Sequence, residues 1–449
     1  MPSHTCRNIG TNTLDVGMTE NAAGSLCVIC KGAHKLCGKE RCPLMVKFYS
    51  REKTRPLIDY KDIAGSSPPS VFVGRFGYPK IDIGPLVPPE FGDTSVMGKP
   101  EQWIGKSIDE IVDMRFRLVR GKYRIDAVGF RKYGRIVDDI QELSLAERPR
   151  DVDAGFSAKP SGRVILNDEV EPFGPSARME RMTLGNGRME RNLERCFYDT
   201  DMKASDAVVA SYRNGTSITE IQNAFSAGTL GIERNRRFVP TRWSITAVDD
   251  MIGKDLLKTT KWYPPIEEFR LYEHYSLDNR WAVLLMPCTW RFELIEAWYP
   301  DTAWNPSGKE IEIIHDSEGF GGRTEYAHIG GCYYASRMAV NELLTKERRT
   351  AGAVIMREAH PGYIMPVGVW NVRENVRAAL RTEPRRFETL DGALTFIDSM
   401  MDIKRTDWIR NSDILKDWIV QRRIEEYYRW TPPSAISPVR SSNGPESSG

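Results

Sequence analysis

Cys27, Cys30, Cys37 and Cys42 fall within sixteen residues, spaced C-x2-C-x6-C-x4-C. Four thiolates this close can surround one tetrahedral Zn²⁺. A closed all-cysteine site of this kind is structural, because no ligand position is left open for chemistry. Gly32 and Gly38 lie between the cysteines, where sharp turns must bring sulfur to metal. The competing reading is two disulfides in a secreted protein. Against it, the other cysteines, Cys6, Cys196, Cys288 and Cys332, are scattered as free thiols in a reducing compartment would be.

Several further groups can do chemistry. Between Lys31 and Arg55 there are eight Lys/Arg, among them Lys31, Lys35, Lys39 and Arg41, against only Glu40 and Glu52. A compact basic zinc module is a nucleic-acid footprint, and a solvated surface beside a zinc staple is the equal alternative. Residues 65–89 are dense in Gly, Pro and Ser, and the apolar runs at 71–73 and 81–83 read as strands joined by tight turns. With Arg75 and Lys80 they can form a backbone-lined anion pocket, though a purely structural strand–turn–strand fits better. No P-loop or dinucleotide fingerprint is present there. Strand-like alternation over 109–126 puts Arg115 with Arg117, and Arg120 with Lys122 and Arg124, on common faces. The second set is a candidate phosphate-contacting surface, or a wet strand face.

Residues 203–228 read as two short helices around Gly215, the second opened by a Ser217–Glu220 capping box. A core-packed hairpin is the favoured reading. A helix-turn-helix, with Gln222 and Asn223 facing outward toward base edges, is the rival. Asp249 and Asp250 follow Arg242. Paired carboxylates there can bind a divalent metal or exchange protons, and an N-cap ahead of Met251 is the favoured alternative. Gly330-Gly331 precedes a helical stretch, with Arg323, His328 and Arg337 as donors and His315 just upstream. A helix N-terminus accepts anions, but no spacing here identifies a reaction, and a lone His is more often structural.

Near the C-terminus stands Gln421-x2-Ile424-x2-Tyr427-Tyr428. This is the pattern of the peptide that docks on the sliding clamp PCNA: one helical turn delivers an aliphatic and two aromatics to one apolar pocket beside a hydrogen-bonding Gln. At helical period Ile414, Leu415, Trp418 and Ile419 span one face, while Val420, Ile424, Tyr427 and Tyr428 fall roughly opposite. A single buried stripe would not produce both clusters, so the second serves another partner. An ordinary amphipathic helix is the alternative.

The elements that must position these groups follow from length and pattern. A chain of 449 residues with 41% hydrophobic and 28% charged content divides into more than one globular unit. The expected fold is α+β. It comprises a four-cysteine zinc module at 23–50, a large mixed α/β core domain at 51–410 and a C-terminal helical segment at 411–430. Disordered tails are expected at 1–22 and 431–449. The start lacks a signal-peptide pattern and the most apolar stretch, 281–287, is far too short to span a bilayer. A cytoplasmic protein without a membrane partner is expected. Net charge is only +2, so no global field draws it to a polyanion.

The blocks Cys27-x2-Cys30-Lys31-Gly32…Cys37-Gly38-Lys39-x2-Cys42-Pro43, Ser67-Pro68-Pro69-Ser70-Val71-Phe72-Val73-Gly74-Arg75, Val239-Pro240-Thr241-Arg242-Trp243, Gly330-Gly331-Cys332-Tyr333-Tyr334 and Pro366-Val367-Gly368-Val369-Trp370 together resemble the archaeal Nre family of DNA repair proteins. The resemblance runs from the cysteine cluster to about residue 430. It implies a role in repair of DNA damage, an N-terminal zinc finger and a C-terminal clamp-interaction motif. It names no reaction. Two departures stand out: 21 residues follow Tyr428, whereas the family's box tends to close the chain, and Tyr-Tyr replaces the usual Phe. The expected function is therefore DNA-binding repair with recruitment by PCNA. Its rivals are an enzyme on nucleic acid or nucleotides, with a pocket around Arg75, Arg242, Asp249, Arg323 and His328, and a non-catalytic repair adaptor.

Two outcomes test the terminal motifs. Purified protein should carry about one equivalent of zinc, and Cys30→Ser should lose it; a metal-free wild type contradicts the zinc reading. Ile424→Ala combined with Tyr427→Ala should abolish pull-down by the clamp, and unchanged capture contradicts the clamp reading.

Overall fold

The computed structural model describes residues 42–161, 172, 174–302, 304–305 and 309–420. Cys27, Cys30, Cys37, the basic residues Lys31, Lys35, Lys39 and Arg41, the box at 421–428 and both expected tails lie outside them. The described residues form twelve helices and two six-stranded sheets in a mixed α/β arrangement.

The chain enters through α1 (Pro43–Ile58), directly after Cys42. Proline suits this first position, since its missing N–H would have had no helical partner. The first sheet contains β1 (Asp62–Ser67), β2 (Val71–Val73), β3 (Lys80–Val87), β4 (Val119–Asp126), β5 (Arg150–Phe156) and β6 (Ser176–Leu184), in the order β1-β5-β6-β4-β3-β2. All neighbours are antiparallel except β4 and β6. Alternate residues Ile81 and Ile83, Val71 and Val73, and Val152 and Ala154 face one core, as period-2 strands require. That core is closed by Val137, Ile140 and Leu143 of α3 (Arg135–Ser144). A Cβ on Gly84 would sit 2.2 Å from the carbonyl oxygen of Gly121, so β3 and β4 can approach this closely only with glycine there. Gly77 (φ 78°) and a cis Tyr78–Pro79 bond turn the chain from β2 into β3. The strands expected at 71–73 and 81–83 are thus present.

Between β3 and β4 lies α2 (Ile108–Phe116), started by a Ser107–Glu110 capping box. Arg115 is therefore helical and Arg117 is its C-cap, not a strand pair as the alternation suggested. Ile108, Ile111, Val112 and Phe116 recur at helical spacing and are buried, and this outweighs the short alternation that follows. After β6 come α4 (Arg191–Tyr198), α5 (Ala204–Arg213), α6 (Ile218–Ser226) and α7 (Thr241–Thr260). The Ser217–Glu220 capping box forms as expected, and α5 and α6 make the hairpin. Gln222 and Asn223 are buried rather than turned outward. Asp249 and Asp250 lie in the middle of α7, not at an N-cap. The helix starts eight residues earlier, after Pro240, which holds its backbone extended (ψ 133°).

The second sheet, ordered β10-β9-β11-β8-β7-β12, comprises β7 (Phe269–Ser276), β8 (Asn279–Met286), β9 (Arg291–Trp298), β10 (Glu312–Glu318), β11 (Gly352–Ala359) and β12 (Arg385–Phe387). Its centre is apolar on both faces. Trp281, Val283, Leu285, Ala353 and Ile355 pack on α8 (Gly331–Glu347) and α9 (Trp370–Leu380). Ala282, Leu284, Met286, Val354 and Met356 pack on α10 (Leu390–Met400), α11 (Arg405–Arg410) and α12 (Asp413–Val420). Doubly covered strands read as continuous hydrophobic runs, as in Trp281 to Met286. On α12, Ile414 and Leu415 are buried and Trp418 packs on Phe269, but Ile419 is exposed and not part of the buried face. Among the described residues no helix is long and apolar enough to cross a membrane.

Candidate functional site

β2 is the outermost strand of the first sheet, and its free edge meets α6 and α7. The Val71 amide donates to Asn223 Oδ1 (3.4 Å) and the Val73 amide to Thr241 Oγ1 (3.0 Å). Side chains thus occupy an edge that would otherwise invite another strand. Where strand and helices diverge, they enclose a cavity of about 380 Å³. Its walls include Ser70 to Phe76, Asp82 and Leu86 of β3, Arg115 of α2, Arg120 and Lys122 of β4, Thr219, Gln222 and Asn223 of α6, and Thr241, Arg242, Ser244 and Ile245 at the start of α7.

The charge of this lining is one-sided. Arg75, Arg115, Arg120, Lys122 and Arg242 face it, against the single carboxylate Asp82. Asp82 already pairs with Arg124 (3.3 Å), which lies outside the lining. Arg115 is buried and committed to the carbonyls of Pro172 and Met97 (both 2.8 Å). The Arg120 guanidinium lies over the Phe72 ring (4.3 Å). Burial pushes its pKa down to about 10, while Asp82 pulls the other way. Burial, and then the neighbouring Arg120, also lower Lys122. Both shifts record positive charge held in a poorly solvated place, a cost that an incoming anion relieves. At the rim Arg75 lies against Phe76 (5.0 Å), and Tyr78 packs on Trp243 (5.3 Å). Phe76 is 79% exposed and Trp243 47%.

The five side chains proposed from sequence for one pocket do not all meet. Arg75 and Arg242 line the cavity. Asp249 stands behind its wall, fully buried, with Gln222 Nε2 donating to it (3.2 Å). Both Asp249 oxygens accept from Arg373 Nη1 (3.0 Å each). Burial pushes the Asp249 carboxyl up to about 6, against the pull of Arg373. Burial works against the Arg373 charge as well, but Asp249 and Glu374 outweigh it and hold the guanidinium above its usual value. Arg323 is bound to Asp316 (2.9 Å) and to the Ser317 carbonyl (2.8 Å), and His328 is exposed; neither lines the cavity. Arg337, expected as a donor at the Gly330-Gly331 turn, is occupied by Glu318 (3.0 Å) and Asp250 (2.5 Å). Phe72, Thr219 and Asn223 were missed as cavity residues. The first stands in the Gly/Pro block, whose density of turn residues was the available signal.

Two trios among the described residues have metal-ligand composition: Glu293, His315 and Asp413, and Glu358, His360 and Asp402. In each the buried carboxylate is already engaged by backbone. Glu293 accepts from the amides of Asp413 and Ile414, and Glu358 from those of Asp402 and Ile403. They act as latches that tie the C-terminal helices to β9 and β11. Of the four candidate zinc ligands only Cys42 is described; it is partly buried at the entry to α1, its carbonyl accepting from the Val46 amide (3.2 Å).

The site is thus a basic cavity under a sheet edge, rimmed by exposed aromatic rings. Known proteins place the chain further. The archaeal Nre N-terminal model matches residues 36–305 and the archaeal Nre C-terminal model residues 318–427. The chain is 40% identical over 392 residues to the DNA repair protein NreB of Archaeoglobus fulgidus, covering 87% of this chain and 97% of that one. It is 37% identical over 374 residues to NreA of the same organism, covering 82% and 92%. It is 33% identical over 371 residues to NreA of Haloferax volcanii, covering 81% and 88%. No solved structure matches. The chain belongs to the archaeal Nre family.

Proposed function

We propose that this protein acts in the repair of DNA damage by binding DNA across the cavity face. The observation that carries the reading is the composition of that face: five cations against one carboxylate, beside exposed Phe76 and Trp243. Cations that neutralise phosphates supply sequence-independent affinity by releasing counterions. Aromatic side chains among them take base faces regardless of sequence. The names of the relatives, DNA repair proteins NreA and NreB, agree with this reading. The four-cysteine module, holding one structural zinc, adds the basic side chains of Lys31, Lys35, Lys39 and Arg41 to the same task. Gln421, Ile424, Tyr427 and Tyr428 dock on the clamp PCNA and bring the protein to replicating or repaired DNA. Zinc is supported by the chemistry of the donor set, since four thiolates suit a closed tetrahedral site.

Binding is favoured over catalysis. The cavity collects cations and hydroxyls, whereas Asp249, the carboxylate best placed for proton transfer in the sequence reading, is turned away and neutralised by Arg373. A pure adaptor has no use for the buried guanidinium of Arg120 with the half-buried Lys122 beside it.

Fluorescence anisotropy with labelled single-stranded and duplex oligonucleotides tests this. Arg75→Glu combined with Lys122→Glu should weaken binding at least tenfold, about 1.4 kcal/mol. Lys122→Ala alone should lower the slope of log K against log salt by about 1. Wild-type affinity and slope in both variants would remove the cavity face from DNA binding.

A further inference from the structure

The cavity is small and closed at its base, whereas a DNA strand is long. Its volume of about 380 Å³ lies in the range of small-molecule sites, far below what a duplex or a run of stacked bases requires. Proteins that handle one base of a strand rotate that nucleotide into a pocket of this kind.

The lining is divided as such a guest would need. Phe72, Leu86 and Ile245 supply apolar lining, with the Arg120 guanidinium over the Phe72 ring (4.3 Å). A base face can leave water against it without loss of hydrogen bonds. Deeper lies Thr219, only 7% exposed, whose hydroxyl has no hydrogen-bond partner among the described residues. Leaving a buried polar group unpaired is unfavourable, and the polar edge of a guest would recover that cost. Arg75 and Lys122 also line the cavity, and neither holds a salt bridge among the described residues. They are placed to receive a phosphate.

The rim separates a strand from a free nucleotide. Phe76 continues outward from the lining, and Trp243, with Tyr78 packed on it, stands beside Arg242. Phe76 belongs to the outer lining and Trp243 stands beyond it, and both rings are exposed. A free nucleotide would leave them in water, while neighbouring bases of a strand would stack on them.

We infer that the cavity holds one nucleotide of a DNA strand turned out from its neighbours, its base between Phe72 and Thr219, its phosphate at Arg75 and Lys122, and the flanking bases on Phe76 and Trp243. The inference rests on the DNA-binding reading above and specifies how that face engages the strand.

The test uses the full chain and a short oligothymidine carrying one 5-iododeoxyuridine, a base that cross-links to nearby aromatic rings under near-ultraviolet light. Anisotropy reports binding and mass spectrometry locates the cross-link. The expected cross-link lies within residues 71–78. Thr219→Met, which fills the cavity, should reduce its yield at least tenfold at saturating protein. Phe76→Ala, a change at an exposed side chain, should weaken strand binding several-fold and binding of free thymidine monophosphate by a smaller factor; an equal loss for both ligands overturns the placing of a flanking base on this ring. Cross-links confined to other segments, with binding intact, overturn the inference and leave the DNA-binding reading standing. Binding of thymidine monophosphate but not of the oligothymidine assigns the cavity to free nucleotides and also overturns it. No binding of either ligand overturns both readings.

Discussion

The Asp249–Arg373 pair joins the two halves of the described chain. Asp249 sits in the middle of α7, whose first turn forms one wall of the cavity; Arg373 sits on α9, which covers one face of the second sheet. Both side chains are buried. Removing one partner of a buried ion pair costs about 3–5 kcal/mol in general, because the remaining charge has no water to turn to. The energetic significance here is therefore less added stability than specification: α7 is held in one rotational setting. Gln222 reads that setting directly, since its amide donates to both Asp249 and the Ile245 carbonyl (3.2 and 3.3 Å). Through Gln222 the cavity wall on α6 is held against α7. Arg337 and Asp250 make a second such tie between α7 and α8.

Seen from the cavity, this explains how cations can be kept together at close range. Burial lowers the pKa of both Arg120 and Lys122, and the nearby Arg120 lowers Lys122 further, which expresses the cost of holding these charges here. A flexible wall would relax and let water in. A wall fixed by buried ion pairs and by hydrogen bonds to the edge of β2 cannot, so the charge remains preorganised for an anion. Preorganisation of this kind reduces the ordering cost of binding. The rings of Phe76 and Trp243, with Arg75 over the first and Tyr78 against the second, then add partly exposed aromatic surface at the rim.

Local features were legible in the sequence where local physics decides them. The Ser217–Glu220 capping box, the strand pair at 71–73 and 81–83, the helical hairpin and the start of a helix at Gly331 all depend on residues a few positions apart. Alternation placed Arg120, Lys122 and Arg124 on one strand face, and two of the three line the cavity. The same alternation misled at Arg115, where helical spacing from Ile108 was the stronger signal. Asp249 and Asp250 imitated an N-cap, because the true start of α7 carries a proline and no side-chain cap. The cavity itself was only partly legible. Its walls come from residues 70–76, 115–122, 219–223 and 240–245, brought together by strand order and by a buried ion pair 124 positions apart in the chain. Arg75 and Arg242 were identified through motif blocks, while Arg323 and His328 belonged to other surroundings.

The account stands on the cavity face being where DNA is held. Hydrogen–deuterium exchange of the full chain, with and without a saturating single-stranded oligonucleotide, addresses this without any substitution. Slowed exchange at residues 71–76, 120–122 and 241–245 is the predicted result. DNA binding with unchanged exchange in all three segments, and protection elsewhere, would contradict it.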